Sequence, residues 1–173
     1  MRAVGAAAHR LVTVQESDPP APRAPGLSLK GRALRYLSAR EHSRAELVRK
    51  LAAHAETPEQ LSHVLDELQA KDFISEVRVA DSVVNRRAAK FGAARIRHEL
   101  QRKGLSAELI ASAVGGLKTT ELSRARAVWH RKFTEPASDA AGRAKQMRFL
   151  AARGFDTEVI RRVVAGSRDE EEP

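Results

Sequence analysis

The sequence contains no cysteine and only seven aromatic residues, five of them phenylalanine. Without cysteine the chain can form no disulfide, no thiolate metal site and no thiol nucleophile. The apolar residues are mostly alanine, leucine and valine. This composition favours short, closely packed helices over a β-sandwich, which uses more β-branched and aromatic residues. We therefore predict an all-α fold.

The sequence also lacks the motifs of the common enzyme classes. It has no glycine-rich phosphate loop, no nucleophile elbow and no HExxH zinc motif. Six histidines are scattered along the chain, and we expect them to be surface or helix-capping residues. No hydrophobic run is long enough to span a bilayer, and His9 and Arg10 interrupt the apolar start before a secretory signal could form. We predict a cytoplasmic protein that contacts no membrane, has no catalytic or metal-ligating residues and uses no cofactor.

Acidic residues are scarce relative to basic ones, with 22 aspartates and glutamates against 31 lysines and arginines and a net charge of +9. An excess of positive charge attracts polyanions such as nucleic acids. The excess is densest in mid-sequence, where Glu99 is the single acid among seven cations. These cations are Arg86, Arg87, Lys90, Arg95, Arg97, Arg102 and Lys103. We predict that they form a partner-binding patch; the alternative is an ordinary solvated helix surface.

The chain repeats itself at a spacing of about 50 residues. Residues 98–114 align with residues 148–164 after a shift of 50, which places Gly104 on Gly154. Residues 49–65 join the alignment after a shift of 49. Three copies at nearly equal spacing are typical of a helical repeat protein.

Each copy contains two helices joined by a tight turn. Gly104 and Gly154 are predicted to follow the end of a helix with positive φ, where glycine avoids a Cβ clash. Thr57, Ser106 and Asp156 are predicted to cap the next helix through their side-chain oxygens. A further helix precedes each pair. The sequence therefore predicts three tandem three-helix repeats, about nine helices in all, which form an elongated, curved body.

Proline content and charge indicate where the folded part of the chain begins and ends. Residues 1–26 hold four of the seven prolines and are predicted to be a flexible tail, and residues 168–173 an acidic tail. The repeats are predicted at 27–74, 75–118 and 119–167. Apolar residues at spacings of three and four are predicted to form their cores. This set includes Val48 in the first repeat and the stripe of Val77, Ala80, Val84 and Ala88 in the second.

The sequence resembles the RecX family in all three repeats. The resemblance is carried by SRAELVRKL at 43–51, by the segment 72–106 and by MRFLAARGFDTEVIRRVV at 147–164, and it covers essentially the whole chain between the two tails. The middle segment is the most specific, because it keeps three residue pairs of the family pattern. These pairs are Arg95-Ile96, Glu99-Leu100 and Lys103-Gly104. The segment departs from the pattern at Val79 and Val83, where the family usually has aromatic residues.

The resemblance implies a non-enzymatic regulator that docks in the helical groove of the RecA filament on single-stranded DNA. It implies that the ATPase, strand-exchange and coprotease activities of RecA are modulated, mostly by inhibition, in DNA repair, homologous recombination and the SOS response. The family supplies no catalytic residue and no short contact motif, so the seven candidate cations rest on charge alone. We expect a monomer that also binds DNA weakly and without sequence preference.

Direct DNA recognition is the main alternative. QRKGLSAELI at 101–110 has the tight turn of a helix–turn–helix motif. The helix after Ser106, however, carries no cation and little that could contact a base edge, so core packing explains it better. A helical scaffold for some other partner is a third hypothesis, which rests on fold analogy alone.

Overall fold

The computed structural model describes residues 26–166, and this part of the chain contains helices and no strand. The helices are α1 (Leu29–Ala39), α2 (Arg44–Leu51), α3 (Pro58–Ala70), α4 (Glu76–Arg87), α5 (Ala93–Arg102), α6 (Ala107–Gly115), α7 (Glu121–His130), α8 (Ala140–Ala151) and α9 (Thr157–Val164). A single 3-10 turn, Ala52–His54, follows α2. The predicted tails lie outside the described residues, except for Gly26. None of the described helices is long and apolar enough to cross a membrane.

Each successive triplet of helices packs around its own core. The buried residues include Leu47, Leu51 and Leu65 in the first core, Val83, Ile96 and Leu100 in the second, and Ala125, Trp129 and Leu150 in the third. Because these side chains recur at helical spacing, each helix buries one face. The prediction of an all-α fold with three tandem three-helix repeats is confirmed. We call α1–α3 module 1, α4–α6 module 2 and α7–α9 module 3.

The helix ends lie where the repeat predicts them. The side chains of Thr57, Ser106 and Asp156 each accept a hydrogen bond from a backbone N–H in the first turn of α3, α6 and α9. Gly104 and Gly154 both have a φ of +77°. The N–H after each glycine donates to the carbonyl of Leu100 or Leu150, five residues earlier, and so closes a Schellman turn. The glycines are therefore required by the backbone conformation of the two turns.

The burial of three residues differs from the prediction. Val77 and Val48, which were predicted to be core residues, are 56% and 40% exposed. The valine-rich α4 contains two overlapping stripes with helical spacing, and the core uses the one that includes Val79 and Val83. His42, predicted to be at the surface or in a cap, is buried, and its Nδ1 lies 3.0 Å from a backbone carbonyl oxygen. Burial lowers the pKa of His42, which favours the neutral ring.

Neighbouring modules meet through a contact that occurs twice. At the first junction the Ser43 hydroxyl, at the start of α2, donates to the Lys103 carbonyl just after α5 (2.5 Å). At the second junction the Gly92 N–H, at the start of α5, donates to the Arg153 carbonyl just after α8 (3.0 Å). The repeat relates the two contacts, since Gly92 lies 49 residues after Ser43 and Arg153 lies 50 residues after Lys103. The second helix of one module thus begins against the turn that follows the second helix of the next.

Arg124 adds a second set of contacts between modules 2 and 3. Its guanidinium, on α7, donates hydrogen bonds of 2.9–3.0 Å to the carbonyls of Ala88, Phe91 and Leu117. All three carbonyls belong to the loops that follow α4 and α6, so one side chain fastens both loops to module 3. Burial lowers the pKa of Arg124, but a guanidinium remains charged in any protein environment. The position of module 3 against module 2 is therefore fixed by directional polar contacts.

Candidate functional site: the basic face of module 2

Six of the seven predicted cations are exposed on module 2, and the seventh is buried. The exposed cations are Arg86 and Arg87 at the end of α4, Lys90 in the following loop, and Arg95, Arg97 and Arg102 on α5. Lys103, immediately after α5, is only 9% exposed. The structure thus concentrates the exposed charge on α5 and on the end of α4.

Two grooves flank α5, and Glu99 and Arg102 line both of them. One groove, of about 280 Å³, separates α5 from α2 and is lined also by Arg87. The other, of about 400 Å³, separates α5 from the C-terminal turn of α8 and is lined also by Arg95 and His98. We call Arg87, Arg95, His98, Glu99 and Arg102 the α5 face. Because Arg102 lines both grooves, a partner that enters either of them meets its guanidinium.

Internal contacts hold several members of the α5 face in place. Glu99 Oε2 lies 3.0 Å from Arg87 Nε, an ion pair between α5 and α4. Arg95 Nη1 donates to the Ala152 carbonyl (3.1 Å), and its guanidinium carbon lies 4.8 Å from the centroid of the Phe91 ring. These contacts pre-organise a surface that carries both signs of charge, which reduces the entropy lost when a partner binds.

Lys103 has a different environment, because it forms a buried ion pair at the junction of modules 1 and 2. Its Nζ lies 2.8 Å from Glu46 Oε1, and Arg40 Nη2 lies 3.1 Å from the same oxygen. The Ser43 N–H donates to the other carboxylate oxygen (3.0 Å). Burial by itself raises the pKa of Glu46, but the hydrogen bonds from Lys103, Arg40 and Ser43 outweigh it and lower the pKa to about 2. Lys103 therefore holds module 1 against module 2, and its side chain is not available at the surface.

Other modules supply cations that lie outside the predicted patch. Arg131, Lys132 and Arg153 of module 3 line a pocket together with Lys90, and Arg49 of module 1 lines the groove between α2 and α5. Arg153 lies 50 residues after Lys103, so the repeat itself could have indicated it. Arg131 and Lys132 carried no such signal, because their approach to Lys90 depends on how the modules pack.

The chemistry that this surface can perform is the binding of charged partners. Within residues 26–166, no group of three or more histidine, aspartate or glutamate side chains is placed to hold a metal ion. The side chains of the α5 face are hydrogen-bond donors and cations, apart from Glu99. The fold and the surface define a tandem three-helix-repeat protein with a pre-organised basic face on its middle repeat.

Comparisons with known proteins identify the family. Residues 30–68, 75–114 and 119–164 match the family descriptions "RecX, first three-helix domain", "RecX, second three-helix domain" and "RecX, third three-helix domain", respectively. The "Regulatory protein RecX" of Leptothrix cholodnii is 57% identical over 140 residues, which cover 81% of this chain and 89% of the relative. That of Ralstonia nicotianae is 49% identical over 146 residues, 84% of this chain and 91% of the relative. The chain belongs to the RecX family.

Two solved structures have the same fold as this chain. The crystal structure of RecX from Lactobacillus salivarius superposes with a TM-score of 0.69 and 20% identity, and covers 80% of this chain and 93% of the other. A second crystal structure of regulatory protein RecX gives a TM-score of 0.67 at 22% identity, over 80% of this chain and 72% of the other. At this level of identity the likeness shows the fold alone.

Proposed function

We propose that this protein is a non-enzymatic regulator of the RecA recombinase in the bacterial cytoplasm and binds as a monomer to the RecA filament on single-stranded DNA. Binding inhibits the ATPase, strand-exchange and coprotease activities of RecA and so restrains recombinational repair and the SOS response. The α5 face is the proposed contact surface, and the observation that carries the proposal is its composition. It is a pre-organised surface with grooves on both sides of one helix, and these grooves are lined by cations and by the carboxylates of Glu99 and Glu46.

This composition suits a protein partner better than bare DNA. A surface that contacts only the phosphate backbone gains nothing from a carboxylate, since every phosphate repels it. Complementary patterns of both charges instead give orientation and specificity at a protein interface. Glu99, which lines the groove beside α2 together with Arg87 and Arg102, supplies the negative part of such a pattern.

The helix–turn–helix alternative finds no support in the geometry. α6, which would be the recognition helix, packs its apolar side against α4 and α5. Its exposed side presents Glu108, Ala111 and Ser112, none of which is a cation. A recognition helix instead places polar and basic side chains towards the base edges of the major groove.

The test is RecA ATPase turnover on single-stranded DNA while the purified protein is titrated in. We expect wild-type protein to inhibit turnover, and the R95A/R102A variant, which removes two arginines that line the groove beside α8, to need several-fold more protein for the same inhibition. Both arginines are exposed, so their loss removes attraction for the partner and leaves the core intact.

The matched control is K118A/R161A, which removes two exposed cations that line neither groove. Helical circular dichroism should be the same for all three proteins. Two results would overturn the proposal: no effect of wild-type protein on RecA turnover, or equal potency of R95A/R102A and wild type.

A further inference from the structure

A separate pocket lies at the junction of modules 2 and 3 and contains cations and aromatic rings without an acid. It has a volume of about 420 Å³, within the range of small-molecule sites. Its lining consists of Lys90, Phe91, Val128, Arg131, Lys132, Phe149 and Arg153. The groove between α5 and α2 differs, because there Glu46 and Glu99 offset the cations. Four cations with no carboxylate in the lining make this pocket a site for an anion.

The pocket also presents a flat surface. The guanidinium carbon of Arg153 lies 3.6 Å from the centroid of the Phe149 ring, the distance of a face-to-face stack. Arg153 Nη1 donates to the Phe149 carbonyl (2.9 Å), which fixes the guanidinium over the ring. The Lys132 ammonium lies 4.8 Å from the same centroid. The guanidinium, which also lines the pocket, is thus a planar group held in place for stacking.

We infer that this pocket binds one nucleotide of single-stranded nucleic acid. Lys90, Arg131 and Lys132 contact the phosphates, and an unstacked base lies on the Arg153 guanidinium. Bases of single strands commonly stack on arginine planes or aromatic rings, and cations follow the backbone beside them. A duplex cannot use the pocket in this way because its bases are already stacked on one another.

The observations favour a nucleotide over an acidic peptide. Carboxylates need the cations but gain little from the Arg153–Phe149 stack, whereas a nucleotide uses both. The site goes beyond the proposed docking on RecA through the α5 face. Its test contains no RecA, so it can fail while the proposed function stands, and the reverse is also true.

The experiment measures binding of the full-length protein to a fluorescein-labelled 12-nucleotide oligo(dT) by fluorescence anisotropy over a series of salt concentrations. We expect the K90A/K132A variant to bind at least several-fold more weakly than wild type. Its slope of log K against log salt should be smaller by about 1.4, because each phosphate contact to a single strand contributes about 0.7. The K118A/R161A variant, which loses the same charge outside the pocket, should keep a slope close to that of wild type.

A second variant tests the stacked base. R153K keeps the charge and removes the plane. Wild-type protein should bind oligo(dT) roughly tenfold more tightly than an abasic strand of equal length. In R153K this difference should largely disappear. Wild-type protein should also prefer oligo(dT) to a duplex of the same length at the same salt.

Three outcomes would overturn the inference. The first is K90A/K132A binding with the affinity and salt slope of K118A/R161A. The second is an abasic strand that binds wild type as tightly as oligo(dT). The third is displacement of labelled oligo(dT) by polyglutamate of equal charge as effectively as by unlabelled oligo(dT), which would identify the pocket as a site for acidic peptides.

Discussion

A Cβ atom at Gly92 would overlap the carbonyl group of Gly154, which belongs to the neighbouring module. The two glycines meet where the start of α5 lies against the turn after α8, and the Ala94 N–H donates to the Gly154 carbonyl (3.2 Å). Module 1 meets module 2 through a serine hydroxyl, which extends further than a backbone N–H. The second junction is therefore the closer approach of two backbones, and it requires glycine on the α5 side.

We expect Gly92→Ala to loosen the junction between modules 2 and 3. The added methyl meets backbone atoms of Gly154 and Phe155, which cannot move aside as the end of a side chain can. Overpacking of this kind costs about 1–3 kcal/mol. The free energy of unfolding should be measured with urea, using circular dichroism for the whole chain and the fluorescence of Trp129, the single tryptophan, for module 3.

Gly115 provides the control, since a Cβ placed there has no neighbour within 4 Å. Gly115→Ala, at the end of α6, should leave stability unchanged or raise it by up to about 1 kcal/mol. If Gly92→Ala behaves in the same way, the close approach at the second junction is not important for stability.

The two turn glycines give a second prediction. Gly104→Val and Gly154→Val should each lower the free energy of unfolding by about 1–2 kcal/mol or more, because φ is +77° at both positions. Gly154→Val should cost more. Its Cβ would lie 2.6 Å from the Arg95 backbone nitrogen, whereas the Cβ at Gly104 would meet only the methyl group of Ala45, at 2.8 Å. Thermal melts of the two variants check which one loses more stability. Equal losses would contradict the closer approach of two backbones at the second junction.

The buried carboxylate of Glu46 predicts a loss of stability in acid. Its pKa is about 2 in the folded protein, below the ordinary 4.5, so the unfolded chain binds a proton more readily. The contribution of Glu46 is therefore complete above about pH 5 and is lost as the pH falls towards 2. It amounts to at most about 3 kcal/mol, at 1.36 kcal/mol for each pH unit. Urea unfolding at pH 7, 5, 4 and 3 should show this slope.

Two variants separate this contribution from that of other acids. Glu46→Gln should lose the slope and be roughly 3 kcal/mol less stable at pH 7, since Lys103 would stay buried without its carboxylate. Glu67 also has a pKa lowered to about 2, by hydrogen bonds from Lys30 and Lys71, but it lies at the surface. High salt should therefore remove the contribution of Glu67 and leave most of that of Glu46. An acid slope in Glu46→Gln equal to that of wild type would contradict the assignment.

The shape of the molecule in solution gives a fourth prediction. A compact domain of the 141 residues 26–166 would have a radius of gyration of about 14–15 Å. Three stacked modules should give a clearly larger value by small-angle X-ray scattering of this fragment. A value of about 15 Å would argue against the elongated body that the repeat predicts.

The sequence by itself determined the elements of this fold. Helical spacing of apolar residues, the capping residue Thr57 and the turn glycines Gly104 and Gly154 act over a few neighbouring residues, so the chain shows them directly. The 50-residue repeat then set the number of modules. Where two local patterns fit equally well, as for Val77 and Val79 in one valine-rich helix, spacing could not distinguish the buried face from the exposed one.

Only the tertiary structure decided what each charge does. Lys103 and Arg102 are adjacent cations in the sequence, yet Glu46, 57 residues away, buries one of them in an ion pair and leaves the other exposed. Lys90 and Lys132 likewise line one pocket because the modules pack at a fixed angle. The energy of a charge depends on its burial and on the partners within a few ångströms. Both follow from contacts between distant parts of the chain, which no local pattern encodes.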